Sequence, residues 1–155
     1  MIAARLFTVC LAALVIALAG CGGTSVKPVT KAEYQTQLAK TGQAVTLAGQ
    51  QLGKVITIAD FNGAVTDLQK ALRDGEKKLN GLQPPANARA ANKRLAQAFG
   101  DLADALEAVK EARRVSIVKA RQSLGQLGKT DAIKQGRAAI QELNQLGYAA
   151  DAAAP

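Results

Sequence analysis

The sequence contains no histidine and no tryptophan, and its two cysteines are Cys10 and Cys21. Without histidine it cannot build the Ser-His-Asp or Cys-His arrangements that activate a nucleophile. Ordinary zinc sites of cysteine and histidine are excluded on the same ground. Glycine loops of the Walker or GxGxxG type are absent too. The residues therefore predict a protein that is not an enzyme and has no cofactor and no metal site.

Aromatic residues are scarce, with three phenylalanines and two tyrosines. A core must therefore consist mainly of Leu, Val, Ile and Ala, which suits closely spaced helices. Apolar residues recur at alternating steps of four and three, the pattern of a coiled-coil-like seam. The seam positions are Tyr34, Leu38, Thr41, Val45, Ala48, Leu52 and Val55, then Phe61, Val65, Leu68, Leu72, Gly75, Leu79 and Leu82, then Ala88, Asn92, Leu95, Phe99, Leu102, Leu106 and Val109.

Capping residues place the ends of these helices. Thr30 and Glu33 have the spacing of a capping box, which predicts the start of the first helix. Asp60 is a candidate cap for the second helix. Pro84 and Pro85 end it, and Pro85 suits the first position of the third helix.

The third seam breaks at Arg113, where an apolar residue is due, and resumes at Ile117, Ala120, Leu124 and Leu127. We expect one long helix with a local bend that reaches about Leu124; a kink between Arg113 and Ser116 is the alternative. Thr130 or Asp131 then caps a last helix that ends near Gly147. The predicted fold is all-α, a four-helix up-down bundle with coiled-coil-like packing over residues 30–148.

Three glycines, Gly42, Gly49 and Gly53, fall inside the first predicted helix. Each costs about 1 kcal/mol of helix stability relative to alanine. Either the close approach of another helix or a functional need for flexibility would offset this cost.

The amino-terminal run from Leu6 to Gly20 carries no charge and follows Arg5. It is shorter than the about 20 apolar residues that span a bilayer, and it has the form of a secretory signal peptide. Its end, Leu18-Ala19-Gly20-Cys21, resembles the lipobox of bacterial lipoproteins. An ordinary cleaved signal and an uncleaved anchor are the alternatives.

The lipobox resemblance implies cleavage before Cys21, after residues 1–20, and attachment of acyl chains to Cys21. Two or more acyl chains hold a protein stably on a membrane. The expected location is extracytoplasmic: the outer face of the plasma membrane, or the periplasm or outer membrane of a two-membrane host. Residues 21–29 are predicted to form a flexible tether, of which the eight residues 22–29 reach at most about 28 Å. Residues 149–155 are expected to form a disordered tail.

The formal net charge is +8, and the excess is concentrated between residues 112 and 137. Within that region Asp131 is the single acid. A solvated basic face is the plain interpretation, and an anion-binding face is the functional one. Nucleic acid is not expected as a partner at this location. The candidate anion-binding residues are Arg113, Arg114, Lys119, Arg121, Lys129, Lys134 and Arg137.

Four carboxylates share a helical spacing: Asp101, Asp104, Glu107 and Glu111. Acid-base catalysis or calcium binding would need further groups to converge on them. A solvated acidic stripe that pairs with cations of a neighbouring helix is the expectation.

The stretch from Leu79 to Phe99, LNGLQPPANARAANKRLAQAF, is similar to segments of small helical lipoproteins of actinobacteria and related bacteria. That resemblance implies a helical bundle outside the cytoplasm and no particular activity. The leading hypothesis is a lipid-anchored, non-enzymatic module that binds another envelope component. A second is binding of anionic lipid or a polyanionic envelope glycan, and a third is an apolar ligand lodged between helices.

Overall fold

The computed structural model describes residues 28–55 and 57–150, and this part of the chain is all-α. Cys21 and the rest of the predicted signal peptide and lipobox lie outside the described residues. The helices are α1 (Lys31–Gly53), α2 (Ile58–Gly81), α3 (Arg89–Val115), α4 (Ile117–Leu127) and α5 (Asp131–Gln145), with a 3₁₀ turn at Ala86–Ala88 before α3.

The helices form the predicted up-down bundle. α1 packs on α2, α2 packs on α3, and α3 packs on both α4 and α5. Gln69 in the middle of α2 donates to the carbonyl of Ala103, whereas the carbonyl of Leu79 near the end of α2 accepts from Asn92, so α2 and α3 are antiparallel. Arg94, near the start of α3, pairs with Glu142 near the end of α5, so α5 is antiparallel to α3.

The fourth arm of the bundle consists of two helices in succession. Leu127, at the end of α4, lies near Leu102 and Leu106 in the middle of α3, and the three side chains line one cavity. α4 therefore runs back along α3. α5 continues in the same direction along the first half of α3. The expectation of one long helix through to Leu124 is therefore wrong, and residues 117–127 belong to the returning arm.

Ser116 separates the two helices because its backbone is extended, with φ −166° and ψ 156°. Its side chain accepts a hydrogen bond of 3.1 Å from the Lys119 N–H and caps α4. Its own N–H donates to the carbonyl of Ala112 and closes α3. The flanking β-branched residues Val115 and Ile117 are weak helix formers, so the local sequence favours a break.

The predicted start of the first helix is confirmed, since Thr30 and Glu33 form both hydrogen bonds of the capping box. The predicted cap of the second helix is wrong by three residues. Thr57 caps α2, and its hydroxyl accepts from the N–H of Asp60. Pro85 precedes the 3₁₀ turn, so α3 begins at Arg89 and not at the proline.

The three predicted seams form the core, as expected. Their members are buried except for Val55, Leu68 and Leu82, which are half-buried. Gly75 in the second seam is required by its neighbours, because a Cβ there would lie 2.8 Å from Cδ2 of Phe99. α2 and α3 thus approach each other closely at this level.

A polar cluster fixes the end of the bundle where α1 begins. The Tyr34 hydroxyl donates to Oδ1 of Asn92 at 3.0 Å, and Nδ2 of Asn92 donates to the Leu79 carbonyl at 2.9 Å. Tyr148 packs edge-on against the Tyr34 ring with centroids 5.3 Å apart. Ala150 is also buried, so packing extends two residues beyond the predicted end of the bundle at residue 148.

Candidate binding surface

Residues 113–121, where α3 turns into α4, form an exposed end of the bundle that we call the tip. Val115 is 67% exposed and Val118 is 62% exposed. The same nine-residue stretch carries Arg113, Arg114, Lys119 and Arg121. The tip therefore combines apolar side chains with a concentration of positive charge.

The tip lies at the far end of the bundle from the chain's entry into α1. Val29, just before α1, donates to the carbonyl of Gln83 in the loop before α3, so both segments lie at one end. α3 then runs for 27 residues to Val115. At 1.5 Å per residue the tip is about 40 Å from that entry.

The cations of the tip differ in their partners. Arg114 forms an ion pair with Glu111 of its own helix at 3.1 Å. Lys119 and Arg121 are exposed and have no ion pair among the described residues. Two side chains are thus available to an anionic partner without the loss of an existing salt bridge.

Arg113 occupies the position at which the third seam breaks, and it is half-buried. Its Nε is buried and has no hydrogen-bond partner within the described part of the chain. A buried donor without a partner carries a desolvation cost, so Arg113 destabilises this end of α3.

The structure divides the seven predicted anion-binding residues into two groups. Arg113, Arg114, Lys119 and Arg121 belong to the tip, whereas Lys129, Lys134 and Arg137 follow on the α4–α5 turn and on α5. Ten residues of mostly helical chain, about 15 Å, separate Lys119 from Lys129, which exceeds the Debye length of about 8 Å at physiological salt. Lys134 also pairs with Asp131 at 2.9 Å.

The acidic residues of α3 are exposed, as the spacing predicts, but among the described residues only Asp104 pairs with a cation of a neighbouring helix. Asp104 pairs with Arg73 of α2, and Glu107 accepts hydrogen bonds from Gln69 and Lys110. The hydrogen bond from Gln69, together with the charge of Lys110, lowers the pKa of Glu107. In the described residues no group of His, Cys, Asp and Glu side chains could hold a metal ion.

Sequence reasoning found the basic residues of the tip but missed its exposed valines. Their signal was present, because Val115 and Val118 fall outside the seam that continues through Ile117 and Ala120. A β-branched residue off the seam in an otherwise helical segment marks a candidate exposed apolar position.

None of the described helices is long and apolar enough to cross a membrane. Comparison of the chain with protein-family models, curated proteins and solved structures gives no match.

Proposed function

We propose that this protein is a non-enzymatic lipoprotein of the cell envelope that binds another envelope component through its tip. The observation that carries the proposal is the exposure of Val115 and Val118 among four cations. Exposed apolar groups flanked by charge are typical of sites that bind a partner.

The anchor rests on the resemblance of Leu18-Ala19-Gly20-Cys21 to a lipobox. Acyl chains on Cys21 would hold the protein on a membrane outside the cytoplasm. The proposed tether would join the bundle at Val29, which lies at the end opposite to the tip. An upright bundle would therefore present the tip about 40 Å from the tether, toward components away from its own membrane.

The chemistry of the tip specifies its partner in outline. Lys119 and Arg121 favour an anionic surface, and the two valines favour one that also offers apolar contacts. An acidic surface of an envelope protein with exposed apolar groups meets both requirements. Charge complementarity would speed association and select among competing partners, while burial of the valines would stabilise the complex.

A second candidate function is the binding of anionic lipid or a polyanionic glycan. Lys119, Arg121, Lys129 and Arg137 support it, because all four are exposed and none has an ion pair among the described residues. Binding of this kind involves little apolar burial and would weaken strongly as salt screens the charges.

Site-specific photo-crosslinking in intact cells tests the leading proposal. A photoreactive amino acid replaces Val115 in the full chain, and adducts are separated by mass. The matched control places the same amino acid at Leu47 of α1, which is 52% exposed and belongs to a helix that does not pack against α4.

The proposal predicts one abundant protein adduct from position 115 and none of that mass from position 47. Equal adducts from both positions would contradict binding through the tip. A lack of protein adducts from position 115, together with salt-sensitive binding to anionic vesicles or glycan, would establish the second candidate in its place.

A further inference from the structure

A cavity of about 370 Å³ lies between α1, α2, α3 and the α4–α5 junction. Its floor consists of the buried side chains Val45, Leu72, Leu102 and Leu106. Its rim carries residues that are exposed or half-buried, among them Thr46, Gly49, Leu127 and Ile133. All of these side chains are uncharged, and the hydroxyl of Thr46 is the one polar side-chain group in the lining.

The cavity opens because the bundle is not tightly closed between α1 and α5. α1 approaches α5 much less closely than α2 approaches α1 or α3. The α4–α5 turn at residues 128–130 falls at this level, so neither helix of the fourth arm covers the middle of α1. The gap is bridged at the end of the bundle where α1 begins, because Gln35 of α1 donates to the carbonyl of Gly147 there.

Gly49 is the residue of α1 that most clearly leaves this space unfilled. A Cβ at Gly49 would have no neighbouring atom within 4 Å, so no close helix approach requires a glycine here. Glycine costs about 1 kcal/mol in a helix interior relative to alanine. The absence of a side chain at Gly49 leaves the rim of the cavity open on the α1 side.

We propose that the cavity binds the hydrocarbon chain of an anionic amphiphile such as a fatty acid. Ligand pockets in proteins begin at about 300 Å³, and a dry apolar cavity of about 150 Å³ already admits benzene. The volume and the aliphatic lining fit a flexible chain.

The charges beside the opening select the head group. α1 carries no charged residue from Thr41 to Gly53. On the other side Lys129 lies two residues after Leu127, and Arg137 lies one helical turn after Ile133, while the charge of Asp131 beside them is paired with Lys134 at 2.9 Å. Residues four apart share a face of a helix, so Arg137 lies on the face that Ile133 turns to the cavity. An anionic head group would therefore meet cations at the rim.

Photolabelling of the full chain tests this proposal independently of the tip. A lysate of cells that produce the tagged protein is depleted of ATP, incubated with a fatty acid that carries a diazirine at the end of its chain, and irradiated. Trypsin releases peptides 41–54, 122–129 and 130–134, which contain Val45 to Gly49, Leu127 and Ile133. We expect the label on these three peptides, and competition by unlabelled fatty acid.

Two variants locate the label. Gly49→Leu should fill the cavity and reduce labelling of 41–54 by at least about tenfold, whereas Gly63→Leu adds the same side chain at an open position of α2 outside the cavity. Thr46→Leu serves as a second filling variant if Gly49→Leu loses its helical circular dichroism. Labelling spread over all peptides, or unchanged labelling in a folded filling variant, would overturn the proposal.

Discussion

At the scale of single residues, Gly63 and Gly75 in the interior of α2 have opposite roles. A Cβ at Gly63 would meet no atom within 4 Å, whereas a Cβ at Gly75 would lie 2.8 Å from Cδ2 of Phe99 and 3.1 Å from Cγ2 of Thr41. Gly63 thus lowers the stability of the helix without a packing benefit, whereas Gly75 allows α1, α2 and α3 to meet.

Alanine at these two positions should change stability in opposite directions. Gly63→Ala is expected to raise the free energy of unfolding by about 0.5–1 kcal/mol through helix propensity. Gly75→Ala should lower it by about 1–3 kcal/mol, because the ring of Phe99 must move. Urea denaturation followed by circular dichroism measures both, and a loss of stability in Gly63→Ala would contradict the open environment of Gly63.

Tyr34 provides a test by pH. Burial raises the pKa of the Tyr34 hydroxyl, and the nearby Tyr148 raises it further. Above its ordinary value of 10.0 the unfolded chain releases this proton while the folded chain keeps it, so stability must fall as pH rises. The slope from this one group is at most about 1.4 kcal/mol per pH unit.

Tyr34→Phe should remove that slope above pH 10. At neutral pH it should cost about 1–2 kcal/mol, because Oδ1 of Asn92 loses its donor. Urea titrations between pH 8 and about 11 compare the two proteins. Parallel pH profiles would show that Tyr34 titrates normally in the folded state.

At the scale of elements, the sequence predicts the helices better than their connections. The capping box at Thr30 and the three seams are local patterns, so α1, α2 and α3 could be read from them. Ile117, Ala120, Leu124 and Leu127 keep the same spacing whether they extend α3 or begin a returning helix. Periodicity reports which face is apolar, but not which neighbour covers it, and this is why the turn at Ser116 was missed.

The turn at Ser116 should depend on its hydroxyl. Ser116→Ala removes the cap of α4 and is expected to cost about 1 kcal/mol. Ser123→Ala is the matched control, because Ser123 lies inside α4, where alanine favours the helix. Thermal denaturation of the two variants should show a lower midpoint for Ser116→Ala alone. An unchanged midpoint would mean that packing of Ala120 against α3 holds the turn without the cap.

At the scale of the whole molecule, the candidate sites depend on features that composition alone cannot locate. The basic residues between 112 and 137 were evident in the sequence. Their division into the tip and a second group on the α4–α5 turn and α5 follows from the return of α4 along α3. The cavity was equally hidden, because Thr46 and Gly49 look like ordinary small residues until α1 and α5 are seen to stand apart.

Replacing the cations of the tip should weaken binding. Arg114→Gln combined with Lys119→Gln and Arg121→Gln should reduce the protein adduct from position 115 severalfold, since charge steers association with an anionic partner. Lys40→Gln with Lys77→Gln and Lys93→Gln lowers the net charge equally at exposed positions elsewhere and should leave the adduct unchanged. Equal losses in both triple variants would assign the effect to net charge and not to the tip.

The proposed function depends above all on the tether, because an anchor at Cys21 sets where the tip is presented. Intact mass spectrometry of the tagged full chain after production in a bacterial host measures this directly. We predict a chain that begins at Cys21 and carries the added mass of acyl groups, and Cys21→Ser should abolish both the cleavage and the added mass. A mature chain that begins at another residue, or that bears an unmodified Cys21, would contradict the account.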